Sequence, residues 1–338
     1  MKLAFLSQFH STQETGISRQ SYYIVQYLEK LQIAFSLYTW ESISKPFMKW
    51  GKYTIQSWKD LITDFDILLY YGEWWAFPSL KIFNVFNCPM LWYCPLDTEK
   101  PQEDFINFSS NFDLIIPVSN WNRKILENYS DNVVFPIPHT VALADKQPQE
   151  KSENDKIRIG TVLRPQRRKN IFALCEFLMQ SDSFFDVISE VSYRELNLSD
   201  AFNQFNIDFR IRQNLNARQL RQFYDSLDLY VSVSMGEGFD LPVGEALLAN
   251  KCVLVSDIPA HREFGIPKNN LVRVSGEAFS APGWSLTDTE DMIRKYEILK
   301  SKNFPSLNID MNNYLSYSVG PLWGELLNNL KEILSYTI

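Results

Sequence analysis

The chain has 338 residues, 45% hydrophobic and 22% charged, which is room for two domains with separate cores and excludes a disordered or fibrous protein. With 33 Lys and Arg against 40 Asp and Glu the net charge is -7, which argues against a nucleic-acid partner, whose affinity would rest on phosphate neutralisation; any phosphate site must be local. The four cysteines, Cys88, Cys94, Cys175 and Cys252, form no CxxC pair and the histidines are only His10, His139 and His261, so neither a metal site nor a disulfide framework is expected.

The first ten residues, "MKLAFLSQFH", turn polar too soon for a signal peptide, and no later run approaches the roughly 18 to 20 apolar residues that span a bilayer. A cytoplasmic protein is expected. Short apolar runs then alternate with helical patterns: "KLAFLSQF" (2–9), "AFSLYTW" (34–40), "DILLYYG" (66–72), "PMLWYC" (89–94) and "DLIIPVS" (113–119). Runs without strict alternation suit strands buried on both faces of a parallel sheet, hence βαβ units. The first crossover helix is predicted over 18–31 behind a Ser18 cap, with Tyr23, Ile24, Tyr27, Leu28 and Leu31 on one face. The stretch 43–60 places Lys45, Lys49, Lys52 and Lys59 along one helical face and Ile43, Phe47, Trp50 and Trp58 along another. That pattern describes an interfacial helix on anionic lipid or an aromatic face buried in the domain, with Gly51 weakening the helix. The aromatics of "YYGEWWAFP" (70–78) suit core packing or a platform for an acceptor.

The polar stretch 144–156 has little to bury and is expected to be a linker. Alternation restarts with "IRIGTVL" (157–163), "FFDVISEVS" (184–192), "IDFRIR" (207–212), "LYVSVS" (229–234), "KCVLVSD" (251–257) and "LVRV" (271–274), a second α/β domain. A tail helix over 319–334 gathers Leu322, Leu326, Leu327, Leu330, Ile333 and Leu334. Two doubly wound domains would bind ligands at the carboxyl ends of their strands, in a cleft.

Two loops in the second domain carry chemistry. "RPQRRKN" follows the strand 157–163, with Arg164 and Lys169 five apart and Arg167 and Arg168 within; it reads as a pyrophosphate site or as a solvated basic turn. "EGFDLPVGE" follows the strand 229–234, with Glu237 in the loop and Glu245 in a helix starting near Leu241. Gly236 and Gly238 permit positive φ and close backbone approach, and Pro242 suits a first turn. Two carboxylates so placed fit sugar and ribose hydroxyls; they also fit an ordinary loop acid and a helix surface acid.

The segment 157–265 resembles the donor-binding domain of GT-B glycosyltransferases of family 4: Glu237 and Glu245 match the signature E-x7-E, Arg164 and Lys169 match R-x4-K, and "SDIPAHREFG" (256–265) is also similar. In the first domain "SQFHSTQETGISRQ", "WYCPLDTEKP" and "SNWNRKILE…FPIPHTV" are similar more loosely. The resemblance implies a GT-B fold of two Rossmann-like domains facing a central cleft: an acceptor domain over 1–143 plus about 319–338, whose tail helix packs back on it, the linker 144–156, and a donor domain over 157–318. It implies a retaining hexosyltransferase of glycan or glycoconjugate synthesis. Arg164 and Lys169 would hold the diphosphate, Gly238, Phe239, Asp240 and Leu241 would lie along the donor, Glu237 would take the sugar hydroxyls and Glu245 the ribose. Gly16 would let the first loop reach the phosphates, and Gln213, Asn214 and Leu215 would lie near the base. The loop of Gly16 has one glycine where many members have two, and the usual acceptor-side histidine is not evident; His10 and His139 fit structural or surface roles better.

Fixed cations stabilise a departing diphosphate without a metal ion, and the leaving phosphate can take the acceptor proton, so no cofactor is expected. Asp97, after the strand 89–94, is the candidate carboxylate on the acceptor side, or a turn-former after Pro95. The expected partners are a nucleotide sugar and a sugar, lipid-linked or protein acceptor, with peripheral membrane contact through 43–60. Other readings are a non-catalytic GT-B-like partner of a glycosylation complex and, further off, a phosphorylase or sugar-nucleotide epimerase.

Overall fold

A computed structural model describes residues 1–9, 16–40, 47–60, 65–74, 88–146, 156–189, 192–193, 196–278, 282–330 and 332. The chain divides into two compact units, Met1–Leu96 with Lys100–Thr140 and Asn313–Ile338, and Asp97–Glu99 with Val141–Asn312. The stretch 147–155 of the expected linker and His10 lie outside the described residues.

The first unit runs β1 (Lys2–Ser7), α1 (Gly16–Lys30), β2 (Ala34–Thr39), β3 (Phe47–Trp50), β4 (Tyr53–Ser57), β5 (Ile67–Tyr71), β6 (Met90–Cys94), α2 (Glu103–Ser109), β7 (Leu114–Pro117) and α3 (Asn120–Leu126). Its sheet has the order β3-β4-β2-β1-β5-β6-β7, parallel except that β3 runs antiparallel to β4. Every residue of β5 is buried, the continuous apolar run that a strand covered on both faces requires. Trp92, Phe105, Phe108 and Phe112 form its aromatic core with Tyr70. Tyr70 and Tyr71 of the "YYGEWWAFP" stretch are thus core residues.

Two expectations for this unit are corrected. Helix α1 starts at Gly16, so Ser18 is not its cap but a buried residue of its first turn. The stretch 43–60 is not an amphipathic helix where described: it forms the β3–β4 hairpin, turned by Gly51 at φ 58°. Glycine disfavours the helix and accepts the left-handed turn, and the side chains follow a period of two. Trp50 points into the core against the rings of Phe9 and Tyr22, at 5.0 and 5.8 Å, while Lys49 reaches across to Thr54 Oγ1 at 2.8 Å. Lys45 and Ile43 lie outside the described residues.

The second unit runs β8 (Arg158–Val162), α4 (Ile171–Ser181), β9 (Phe184–Ile188), β10 (Ser192–Tyr193), β11 (Leu196–Asn197), α5 (Leu198–Gln204), β12 (Asp208–Arg212), α6 (Ala217–Ser226), β13 (Leu229–Ser232), α7 (Leu241–Leu248), β14 (Cys252–Ser256), α8 (Pro259–Glu263), β15 (Leu271–Val272), β16 (Val274–Glu277), β17 (Ser285–Thr287) and α9 (Thr289–Ser301). Its main sheet, β12-β9-β8-β13-β14-β15, is wholly parallel; β10–β11 and β16–β17 are small antiparallel pairs. From β8 the chain winds outward through β9 to β12, then returns to place β13 on the other side of β8. The strand order reverses between β8 and β13, and the loops leaving their carboxyl ends diverge there, which is where open α/β sheets bind ligands.

The chain then returns to the first unit as α10 (Ser316–Asn328). Gly320 and Gly324 face α1, where a methyl group on Gly320 would lie 3.1 Å from the Tyr27 ring, and Trp323 packs edge-on against Tyr93 at 5.1 Å. Val319, Trp323, Leu326, Leu327 and Leu330 are buried; Leu322 is half-buried, and Ile333 and Leu334 lie outside the described residues. Among the described residues no helix is long and apolar enough to cross a membrane.

Candidate active site

Arg167–Lys169 form a single 3-10 turn after β8, followed by Asn170 in the left-handed region at φ 50°, which starts α4. The Arg168 carbonyl accepts from Met235 N–H at 2.8 Å, and the Met235 carbonyl accepts from Ser285 N–H at 2.9 Å, so three loops of the unit are tied in sequence. Gly236 follows. A methyl group there would run into the Asp97 carbonyl oxygen and the Trp284 ring, so only glycine admits this approach of backbone to backbone.

Into this frame the loops bring charge. Glu237 is 6% exposed, with Lys169 Nζ 2.5 Å from its Oε1 and Arg168 Nη1 on the same oxygen. Arg168 also donates to the Gly236 carbonyl at 3.2 Å and pairs through Nε with Asp97 Oδ2 at 3.3 Å. Burial pushes the Glu237 carboxyl up, but Arg168 and Lys169 more than offset it and hold it below the usual glutamate range. Asp97 goes the other way, raised by burial and by Glu237 against the pull of Arg168.

Asp240, buried and left-handed at φ 59°, starts α7. Its Oδ2 accepts from Ser232 Oγ at 2.8 Å and lies 2.9 Å from His261 Nε2, while its buried Oδ1 has no hydrogen-bond partner. Burial opposes its ionisation, yet Lys169, His261 and Ser232 hold it well below the usual aspartate range. Asp240 takes the positive φ expected of Gly236 and Gly238, neither of which has one; a short polar side chain tolerates that region when its carboxylate is held.

The structure therefore joins Glu237, Lys169, Asp97 and Asp240. Asp97, the expected acceptor-side carboxylate, falls in the same compact unit as Glu237, and its carbonyl accepts from Trp284 Nε1 at 3.1 Å. Arg164 is half-buried in the same loop as Lys169. Gly238 lies in the Glu237 loop, Phe239 packs edge-on against Phe264 at 5.2 Å, and Leu241 opens α7. Glu245, 1% exposed, is no surface acid; its Oε2 accepts from Tyr224 Oη at 2.7 Å. Gln213, Asn214 and Leu215 leave β12 at the sheet edge, the first two exposed. Gly16 heads α1 in the first unit, where a methyl group would meet open space. His139 is buried against the Tyr71 and Tyr93 rings, with burial lowering its pKa to about 3, a structural histidine.

Sequence reasoning missed Arg168 as the residue shared by Glu237 and Asp97, although two adjacent arginines at the centre of "RPQRRKN" signalled it. It also missed His261, whose signal was a histidine inside an otherwise donor-like stretch. Among the described residues no group of three His, Cys, Asp or Glu could hold a metal ion.

The fold is that of the GT-B glycosyltransferases. Sucrose-phosphate synthase from Thermosynechococcus elongatus matches with a TM-score of 0.73 over 98% of this chain and 99% of that one, at 14% identity. HepE of Anabaena, in complex with UDP and glucose, matches with a TM-score of 0.66 over 97% and 100%, at 10% identity. The lipopolysaccharide outer core galactosyltransferase WaaB matches with 0.65 over 97% and 99%, also at 10% identity. No protein-family model and no curated protein matches the sequence.

Proposed function

We propose that the chain is a metal-independent, retaining glycosyltransferase of family 4 type, moving a hexose from a nucleoside diphosphate to a glycan, lipid-linked or protein acceptor. The observation that carries this reading is Glu237 held by Lys169 and Arg168 where the strand order reverses between β8 and β13. A carboxylate occupying two fixed cations is a placeholder for a stronger anion. The donor diphosphate takes Lys169, Arg168 and Arg164, and Glu237, released, accepts hydrogen bonds from the sugar hydroxyls. Glu245, oriented by Tyr224, takes the ribose.

As the bond from the anomeric carbon to the phosphate oxygen breaks, negative charge grows on the diphosphate, and cations already in place stabilise it without reorganisation. The acceptor oxygen bonds to that carbon on the face the phosphate leaves, and its proton passes to the phosphate. Asp97, fixed by Arg168, stands as a negative charge for the cationic sugar centre. HepE, of the same fold, is described with UDP and glucose, which makes UDP-glucose the first donor to try.

Calorimetry of the purified protein with UDP-, GDP-, ADP- and TDP-sugars, without added metal, tests the reading. One nucleotide sugar should bind selectively, its binding lost in Lys169→Ala and its sugar discrimination lost in Glu237→Ala. Binding of none of them overturns the enzyme reading.

A further inference from the structure

His261 is wholly buried on α8, and both of its ring nitrogens face acceptors. Nδ1 lies 2.7 Å from the Ser256 carbonyl oxygen, which can only accept, so Nδ1 carries a proton. Nε2 lies 2.9 Å from Asp240 Oδ2, which already accepts from Ser232 Oγ. An ionised Asp240 leaves Nε2 no role but donor, and an imidazole donating at both nitrogens is a cation. The other arrangement, a protonated Asp240 donating to a neutral ring, would place Lys169 beside a neutral group while Glu237 and Asp97 keep their charges.

The groups facing the pair decide between the two. They are Ser232 and Tyr230 of β13, Ser256 of β14 with Thr287 of β17 behind it, Lys169 from the β8 loop and Glu237 from the same loop as Asp240. Asp97, Glu237 and Asp240 thus share one buried network with Arg168, Lys169 and His261, and a charged His261 supplies a third cation to it.

We propose that His261 is a positioning residue, a buried imidazolium that is anchored through Nδ1 on the Ser256 carbonyl, fixes Asp240 through Nε2 and thereby keeps Lys169 on Glu237. Asp240 starts α7 in a left-handed conformation three residues after Glu237, so its carboxylate anchors the loop. Its Oδ1 has no hydrogen-bond partner, and Lys169 acts on the carboxylate as a nearby charge. With the His261 charge removed, Asp240 is an uncompensated buried anion that draws Lys169 away from Glu237. The functional importance of this arrangement rests on the reading of Lys169 and Glu237 as donor residues; the arrangement itself does not.

The test is therefore made without donor. Long-range 1H–15N spectra of the three histidines, assigned with His261→Gln, report which ring nitrogens carry protons. Both His261 nitrogens should carry a proton at about pH 7, as two facing acceptors require; one bare nitrogen there overturns the proposal. In His261→Gln, which can donate but carries no charge, the Glu237 carboxylate and Lys169 ammonium resonances should shift while backbone dispersion is retained. Unchanged resonances in the folded variant overturn it. Should that variant not fold, Asp240→Asn takes its place, and there His261 should lose one ring proton at about pH 7; retention of both overturns the proposal. Donor affinity in His261→Gln should fall about tenfold, as expected when a supporting residue lets a binding group shift. A wild-type protein that binds no nucleotide sugar yet shows the doubly protonated ring and the shifted resonances rejects the donor reading alone.

Discussion

The two units are wound alike and differ in what their central strands deliver. In each sheet the strand order reverses at a neighbouring pair, β1 with β5 and β8 with β13. In the first unit the described side chains at that point meet through neutral hydrogen-bonding groups: Ser7 Oγ donates to the Tyr71 carbonyl at 2.9 Å, and Tyr71 Oη lies 3.2 Å from His139 Nε2. Burial holds Tyr71 and Tyr93 far above the usual tyrosine range, so both stay protonated. In the second unit it is a buried network of carboxylates and cations. Neutral buried groups need only hydrogen bonds, whereas buried charges need counter-charges and strand one another when a partner is removed. Topology supplies the position and side chains supply the chemistry.

That contrast breaks first at Lys169. Lys169→Ala should abolish donor binding, a loss of about a hundredfold or more, and cost about 3–5 kcal/mol of stability in urea unfolding, because a buried carboxylate loses a cation. Glu237→Gln should act in the opposite sense on the nucleotide alone: calorimetry should show the nucleoside diphosphate binding several-fold tighter, since no carboxylate competes for the cations, while preference among sugars disappears. Equal affinity of the diphosphate for variant and wild type would remove the placeholder argument.

Acid should act on the two units over different ranges. His139 is held down to about 3 in the folded chain against 6.5 unfolded, so below 6.5 the unfolded chain binds the extra proton and stability falls from about pH 6.5 towards about 3. Hydrogen exchange in β5 and β6 should quicken over that range in wild type and less in His139→Gln. In the second unit Asp291 is held at about 2 against 3.8; burial opposes this, but the Arg273 N–H, Lys295 and Arg294 outweigh it. Its contribution is present above about pH 3.8 and lost as pH falls towards 2, so Asp291→Asn should lower Tm at neutral pH and match wild type near pH 2. The smallest effect is expected at the solvent-exposed Lys52–Glu29 pair of the first unit, where Lys52→Ala should leave Tm unchanged.

Much of this was legible before the structure. β5, β6, β13 and β14 are apolar runs that only a strand covered on both faces uses, and the resemblance of Glu237 and Glu245 to the E-x7-E signature set Glu237 apart as a loop acid ahead of α7. The hairpin β3–β4 was not, because Lys45, Lys49 and Lys52 also satisfy a helical repeat; Gly51 was the residue to weigh more heavily. Arg168 and the Asp240–His261 pair escaped for another reason. Which of several adjacent cations meets which carboxylate depends on how loops from different strands close, and no local period carries that information. The left-handed residue proved to be Asp240 because His261 and Ser232, distant in sequence, stabilise its carboxylate there.

Helix α10 closes onto α1 although 172 residues of the second unit, Val141–Asn312, are translated between Thr140 and the return of the chain. On the ribosome the first unit must therefore wait with the Tyr27 side of α1 uncovered, while the second unit, apart from its short 97–99 strip, is contiguous and can complete itself as it emerges. N-terminal-first folding, the usual order in synthesis, is reversed at the final step here.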